Sequence, residues 1–256
     1  MKVTYQNLTY TLAERVAELT LNRPDKLNAL NAAVFGEIHA ALDHAEANGA
    51  RAVLLTGEGR AFCSGADLAG DGFPDDLGEP IDRLYNPLVR RIAAMDMALV
   101  TAVNGPAVGA GAGLAMLGDV IVMARSAYLQ LGFVNIGLVP DAGTSWLAVQ
   151  AVGRTRALEM ALLGERIEAG TALDWGLVTR LADDCLADAR SLVRKLAAGP
   201  ASTALIRKQV RAVVESSLDE ALDLERENQR AAGRTADFRE GVMAFLEKRS
   251  PRFTGN

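Results

Sequence analysis

Apolar and polar positions change their period several times along the chain, and each change predicts an element. Val3 to Leu21 alternates about a charged break at Ala13-Glu14-Arg15, the pattern of a hairpin or of two half-buried strands. Asn31 to Asn48 carries Phe35, Ile38, Leu42 and Ala45 at helical spacing, which predicts a helix stopped at Asn48-Gly49. On that helix His39 falls at the edge of the apolar stripe and His44 on the opposite, solvated face. Ala52–Thr56 and Ala98–Val103 are short apolar runs, as expected of strands covered on both faces.

Between them, Ala61 to Leu68 reads as a short strand running into a tight bend, and Ala69 to Glu79, rich in Gly, Pro and Asp, as a mobile surface loop. A helix starts near Asp82, or with Pro87 in its first turn, and runs to Met95. After the small-residue stretch Asn104 to Leu114 come a short helix to about Leu117, a strand Val120–Met123 and the segment Tyr128 to Phe133. The repeated strand, turn, helix, strand order predicts parallel strands with crossover helices. From Thr144 the pattern is nearly all helical: Thr144–Val152, Arg154–Leu163, Ala169–Trp175, Leu186–Ala198, Ala201–Val214, Leu218–Arg230 and Ala236–Glu247. A helical C-terminal third without strand partners docks on the core or on another subunit.

Composition narrows the class. Half of the 256 residues are hydrophobic, enough for a full core. A net charge of -5 argues against a nucleic-acid or anionic-membrane surface. No run of about 18 apolar residues exists and the first residues lack a signal-peptide core, so a cytoplasmic location is expected. Cys63 and Cys185 stand alone and read as small buried hydrophobes. The two histidines lack the i, i+3 or i+4 spacing of paired ligands, so neither a metal site nor a His-based triad is expected.

Two stretches carry candidate chemistry. Ile136 to Ser145 ends an apolar run at a turn holding one carboxylate, Asp141, behind Pro140. Its side chain can cap the following helix, or act as a tuned proton carrier in an apolar pocket. Gly109, Gly111 and Gly113 follow a strand and open a helix, but position 114 is Leu, which departs from a dinucleotide fingerprint. What the stretch does offer is a backbone N–H reached through residues without bulk, and a second donor at Ala66 would complete a two-donor oxyanion hole.

Asn22-Arg23-Pro24, Leu27 to Leu30, Phe62 to Leu68, Val103 to Gly111 and Asp174 to Val178 together resemble the enoyl-CoA hydratase/isomerase (crotonase) superfamily, across essentially the whole chain. The resemblance implies an α/β fold: a spiral of ββα turns forming two roughly perpendicular sheets over residues 1–195, and a helical C-terminal region, residues 196–256, that builds homotrimers often paired into hexamers. It implies oxyanion-hole N–H groups at Ala66 and Ala110. It also implies a CoA thioester lying along Lys26, Leu27, Ser64, Ala66, Asp67 and Leu68, with Phe245 and Lys248 near its adenine or phosphates. No cofactor beyond the substrate's CoA is implied, and no metal. Hydratases of this family use two glutamates, and the matching positions here are Gly113 and Phe133. Gly137 to Trp146 and Ala232 to Gly241 resemble instead the ring-epoxide isomerases of the phenylacetate pathway, in which the residue matching Asp141 is the acid/base. The expected activity is isomerisation of an acyl-CoA thioester in a pocket of Gly113, Phe133, Leu138 and Trp146. The alternatives are hydration through another residue, dehalogenation or hydrolysis with Asp141 as nucleophile, and acyl-CoA binding without catalysis.

Overall fold

The computed structural model describes residues 2–69 and 75–256. The first alternating stretch forms β1 (Lys2–Thr4), β2 (Leu8–Ala13) and β3 (Val16–Leu21), an antiparallel meander that turns at Glu14 and Arg15, both at positive φ. After a 3-10 turn at Pro24–Lys26 comes α1 (Ala32–Ala47), started by the Asn31 side chain, which accepts the Val34 N–H at 3.0 Å. Phe35, Ile38, Leu42 and Ala45 are all buried. His44 is not on an open face: its Nδ1 lies 3.1 Å from the hydroxyl of the fully buried Tyr10, whose ring it meets edge-on. That contact is made across 34 residues, which helical periodicity cannot register.

β4 (Ala52–Gly57) and β5 (Ala98–Val103) are buried along their whole length. Between them residues 70–74 of the expected loop lie outside the described residues. The helix that follows begins earlier than Asp82, as α2 (Gly78–Pro80), because the Asp76 carboxylate accepts the Gly78 N–H at 2.8 Å. It continues through a π turn, Ile81–Tyr85, into α3 (Asn86–Ala94). The wide turn precedes Pro87, which has no N–H to offer and a ring that crowds the preceding carbonyl. β6 (Ala107–Val108), α4 (Ala110–Met116), β7 (Val120–Ala124) and β8 (Tyr128–Gln130) follow.

The helical C-terminal third contains α5 (Thr144–Leu163), interrupted at Gly153, and α6 (Ala169–Asp174). It also contains two strands that the pattern does not predict, β9 (Arg166–Glu168) and β10 (Arg180–Ala182). Each has three residues, too few for a period. Then come α7 (Cys185–Ala197), α8 (Ser202–Ala212), α9 (Leu218–Ala232) and α10 (Ala236–Leu246).

Seven strands form one sheet in the order β1-β2-β3-β4-β5-β7-β10, parallel from β3 onward, and β6-β8-β9 form a second. Consecutive parallel neighbours are joined by crossover helices, as the alternation of elements requires. α8 is fastened to this core by Arg207, which is 6% exposed. It pairs with Asp119 at 2.6 Å and donates to the carbonyls of Ile92, Ala93 and Met95. Cys63 and Cys185 are both buried and unpaired. No helix among the described residues is long and apolar enough to cross a membrane.

Candidate active site

The two bends meet. Cys63 and Ala107 form an isolated parallel bridge in which Val108 N–H donates to the Cys63 carbonyl at 2.9 Å. A second bridge, Leu30 with Ala66, sends the Leu30 N–H to Gly65 and the Asp67 N–H to Leu30. The Ala66 N–H is left pointing elsewhere, and neither it nor the Ala110 N–H has a partner among the described residues. The contact between the bends is close. A methyl group on Gly65 would stand 2.8 Å from the Val108 oxygen and 3.6 Å from the Ala110 nitrogen, and one on Gly111 would stand 2.2 Å from the Cys63 oxygen. Only glycine lets α4 approach the Cys63 backbone this closely.

Asn28, buried and at positive φ, sets the position of the first bend. Its side chain accepts the Arg23 N–H at 2.9 Å and donates to the carbonyls of Glu58 and Ala61 at 3.0 and 2.8 Å. No motif in the sequence assigns Asn28 this task; an asparagine between apolar neighbours is the available signal.

A cleft of about 610 Å³ opens beside the bends, walled by Ala66, Leu68, Leu77, Pro80, Ile81, Tyr85, Leu138, Val139 and Asp141, among others. Ala110 lines a separate apolar hollow of about 10 Å³ that shares Tyr85 and Ala142 with the cleft. Three acids border the cleft. Asp67 is paired with Arg23 at 2.7 Å, and that hydrogen bond holds its carboxyl below the usual carboxylate range. Asp82 is exposed. Asp141 differs from both: its Oδ1 is sealed from solvent without a hydrogen-bond partner, and burial pushes its pKa up to about 6. The side-chain cap is not realised. The main-chain oxygen of Asp141 accepts the Thr144 N–H and hydroxyl, at 2.9 and 2.6 Å, and Gly143 occupies the cap of α5.

The other expected site residues are distributed unevenly. Lys26, Leu27 and Ser64 adjoin the first bend, where Ser64 N–H donates to the Leu27 carbonyl at 3.0 Å. Leu138 borders the cleft, but Phe133 is buried with its ring against Gly109, and Trp146 is exposed and outside the cleft wall. Gly113 faces the turn behind Asp141: a methyl group there would stand 2.7 Å from Thr144 Cγ2 and 3.0 Å from the Ala142 oxygen. Phe245 lines a groove between α8, α9 and α10, and Lys248 follows α10 at positive φ. Tyr85, which no motif in the sequence singles out, is buried at the cleft wall on the face of Leu88 and Ile92. Among the described residues no group of three or more His, Cys, Asp or Glu is arranged to hold a metal ion.

Taken together, a fold-positioned pair of unpaired N–H groups, an apolar cleft and one protonatable carboxyl can polarise a carbonyl and move a proton. Comparison with known proteins places the whole chain. Residues 11–256 match the enoyl-CoA hydratase/isomerase family. The 1,2-epoxyphenylacetyl-CoA isomerase of Escherichia coli (strain K12) is 46% identical over 249 residues, covering 94% of this chain and 95% of that protein. A Rhodobacter capsulatus protein named "Probable enoyl-CoA hydratase" is 45% identical over 258 residues, 99% of this chain and 100% of its own. Among solved structures, an enoyl-CoA hydratase from Polaromonas sp. JS666 is similar at TM-score 0.91 and 31% identity, over 96% of this chain and 99% of that one. The fold is the crotonase-like α/β spiral, and the chain belongs to the enoyl-CoA hydratase/isomerase family.

Proposed function

We propose that the protein is a CoA-thioester isomerase that converts a ring-1,2-epoxyphenylacetyl-CoA to its oxepin form, shifts a Δ3 enoyl-CoA double bond to Δ2, or both. One observation carries the reading: Asp141, half-buried in the cleft, has a carboxyl oxygen sealed from solvent without a hydrogen-bond partner, and burial raises its pKa to about 6. In this mechanism the thioester oxygen accepts the N–H groups of Ala66 and Ala110, which stabilise the enolate by about 3 kcal/mol per donor. Asp141 takes a proton from one carbon and returns it to another, and a pKa near the working pH suits both halves of that task.

Hydration needs water activated by a second group, and the two positions that would supply it are closed. Phe133 carries no proton, and Gly113 is pressed so close to Thr144 and Ala142 that it has no room for a side chain. The apolar wall of Leu77, Ile81, Leu138 and Val139 suits a hydrocarbon or aromatic acyl group. The CoA moiety is assigned to Lys26, Leu27, Ser64, Asp67 and Leu68, with Phe245 and Lys248, and no other cofactor takes part. The reading includes a cytoplasmic homotrimer or hexamer, supported by the exposed Ile206, Val210, Leu218 and Phe245 on the C-terminal helices.

Asp141→Asn tests the reading. Isomerisation should fall by about 10²–10⁴-fold while the affinity for an acyl-CoA stays within a few-fold. Undiminished isomerisation by the variant, or sustained hydration of crotonyl-CoA by the wild type without isomerisation, overturns it.

A further inference from the structure

Tyr85 lines the cleft, and its phenol is a polar group of the wall beside Asp141. The residue is 7% exposed, and its ring is held by Phe35, with ring centroids 4.5 Å apart at 57°. Its hydroxyl makes no hydrogen bond among the described residues, Asp141 included. The hollow behind the ring, between Leu30, Phe35, Leu88, Val89 and Ala110, measures about 10 Å³ and has only carbon side chains around it. A water needs at least ~10–15 Å³ and several polar partners, so nothing behind the ring can satisfy the hydroxyl. The hydroxyl oxygen, unlike Asp141 Oδ1, is not sealed from solvent, so a partner can reach it from the cleft that Tyr85 lines.

Burial and the nearby Asp141 carboxylate raise the phenol pKa well above its ordinary value. Tyr85 therefore stays protonated and offers a hydrogen at any working pH, beside an acid that titrates near neutrality. The other polar side chains of the wall have different circumstances: Asp67 is engaged by Arg23, Asp82 is exposed and Asn86 is half-buried. The π turn Ile81–Tyr85 ends on this residue, a distortion that recurs at functional sites.

We propose that Tyr85 contacts the substrate and selects acyl-CoA thioesters whose acyl group carries an acceptor oxygen, such as a ring ether or epoxide, to which its phenol donates. The inference rests on the acyl-CoA reading of the cleft. A purely hydrocarbon acyl group of the same shape would still fit the apolar wall but would cover the hydroxyl and leave it unpaired, so it would bind more weakly than its oxygen-bearing analogue.

The test uses two unreactive thioesters of one shape, tetrahydropyran-2-ylacetyl-CoA and cyclohexylacetyl-CoA, titrated calorimetrically into the wild-type protein and Tyr85→Phe. The wild type should bind the ring ether about 10-fold more tightly. Tyr85→Phe, which keeps the ring against Phe35, should bind both equally, with the carbocycle's Kd unchanged within about 2-fold. Equal binding of the two by the wild type overturns the inference, as does a preference that survives in Tyr85→Phe. A uniform loss of both ligands in the variant also overturns it, because it would assign the residue a packing role. Binding of neither thioester by the wild type refutes the acyl-CoA reading itself, and the inference with it.

Discussion

Asp141 is destabilising where it stands, since a sealed carboxylate oxygen without a donor has lost its water and gained nothing in exchange. Burial raises its pKa from 3.8 to about 6, so the folded protein binds this proton more tightly than the unfolded chain does. The sign of the linkage follows: stability is greatest below about pH 4 as far as this group is concerned, falls as pH rises toward 6, and levels above it. Asp67, Asp82 and Tyr85 are the other titratable groups of the wall; Asp67 is paired with Arg23 and held below the usual carboxylate range, Asp82 is exposed and Tyr85 is held protonated across this range. Asp141→Asn should therefore be more stable than the wild type at pH 8, by up to about 3 kcal/mol, and the difference should vanish near pH 4. Urea unfolding of both proteins at the two pH values checks this. The position of Asp141 ahead of a helix was legible from Pro140 and Thr144; its lack of a partner was not, because that depends on which groups the rest of the fold brings near.

At the scale of elements, the site is the meeting of two chain segments about 45 residues apart, Cys63–Ala66 and Ala107–Gly111, held by a single bridge. Both segments can be read as small-residue bends, yet their contact requires β4 and β5 to lie side by side in register. Gly111 is the position where α4 touches the Cys63 backbone, and a backbone oxygen cannot swing aside as a flexible side chain can. Gly111→Ala should push α4 away and move the Ala110 N–H out of line. We expect a loss of about 10²-fold or more in kcat/KM, with about 1–3 kcal/mol of stability, measured by steady-state kinetics and denaturant unfolding. A variant with full activity would show that the two bends do not act together.

At the scale of the whole molecule, the C-terminal helices leave Ile206, Val210, Leu218, Leu222 and Phe245 more than half exposed. Exposed apolar side chains of this kind are what the proposed homotrimer or hexamer would cover. Arg207, one residue from Ile206, anchors the inner face of α8 to Asp119 and to carbonyls at the end of α3, so the outer face is presented on a fixed support. On the proposed assembly, the double variant Ile206→Asp, Val210→Asp should convert the homotrimer or hexamer to a smaller species in sedimentation equilibrium, with the unfolding midpoint of the isolated chain little changed; an unchanged mass would place the interface elsewhere. The amphipathic periodicity of these helices was visible in the residues themselves. Which side faced the core and which remained open was decided by Arg207, a charged residue that no hydrophobic pattern places inside.

What the sequence determined by itself was local: α1 between Asn31 and Asn48, the buried strands β4 and β5, the division of α5 at Gly153 and the likeness to a family across the chain. Each depends on neighbouring residues, through side-chain caps, period and backbone freedom. Only the tertiary structure decided that His44 bonds Tyr10, that Arg166–Glu168 and Arg180–Ala182 are strands, that Gly113 has no room for a side chain and that Tyr85 shares a cleft with Asp141. Those outcomes join residues far apart in the chain, and their energies exist only once the sheet register and helix packing have closed the distance between them.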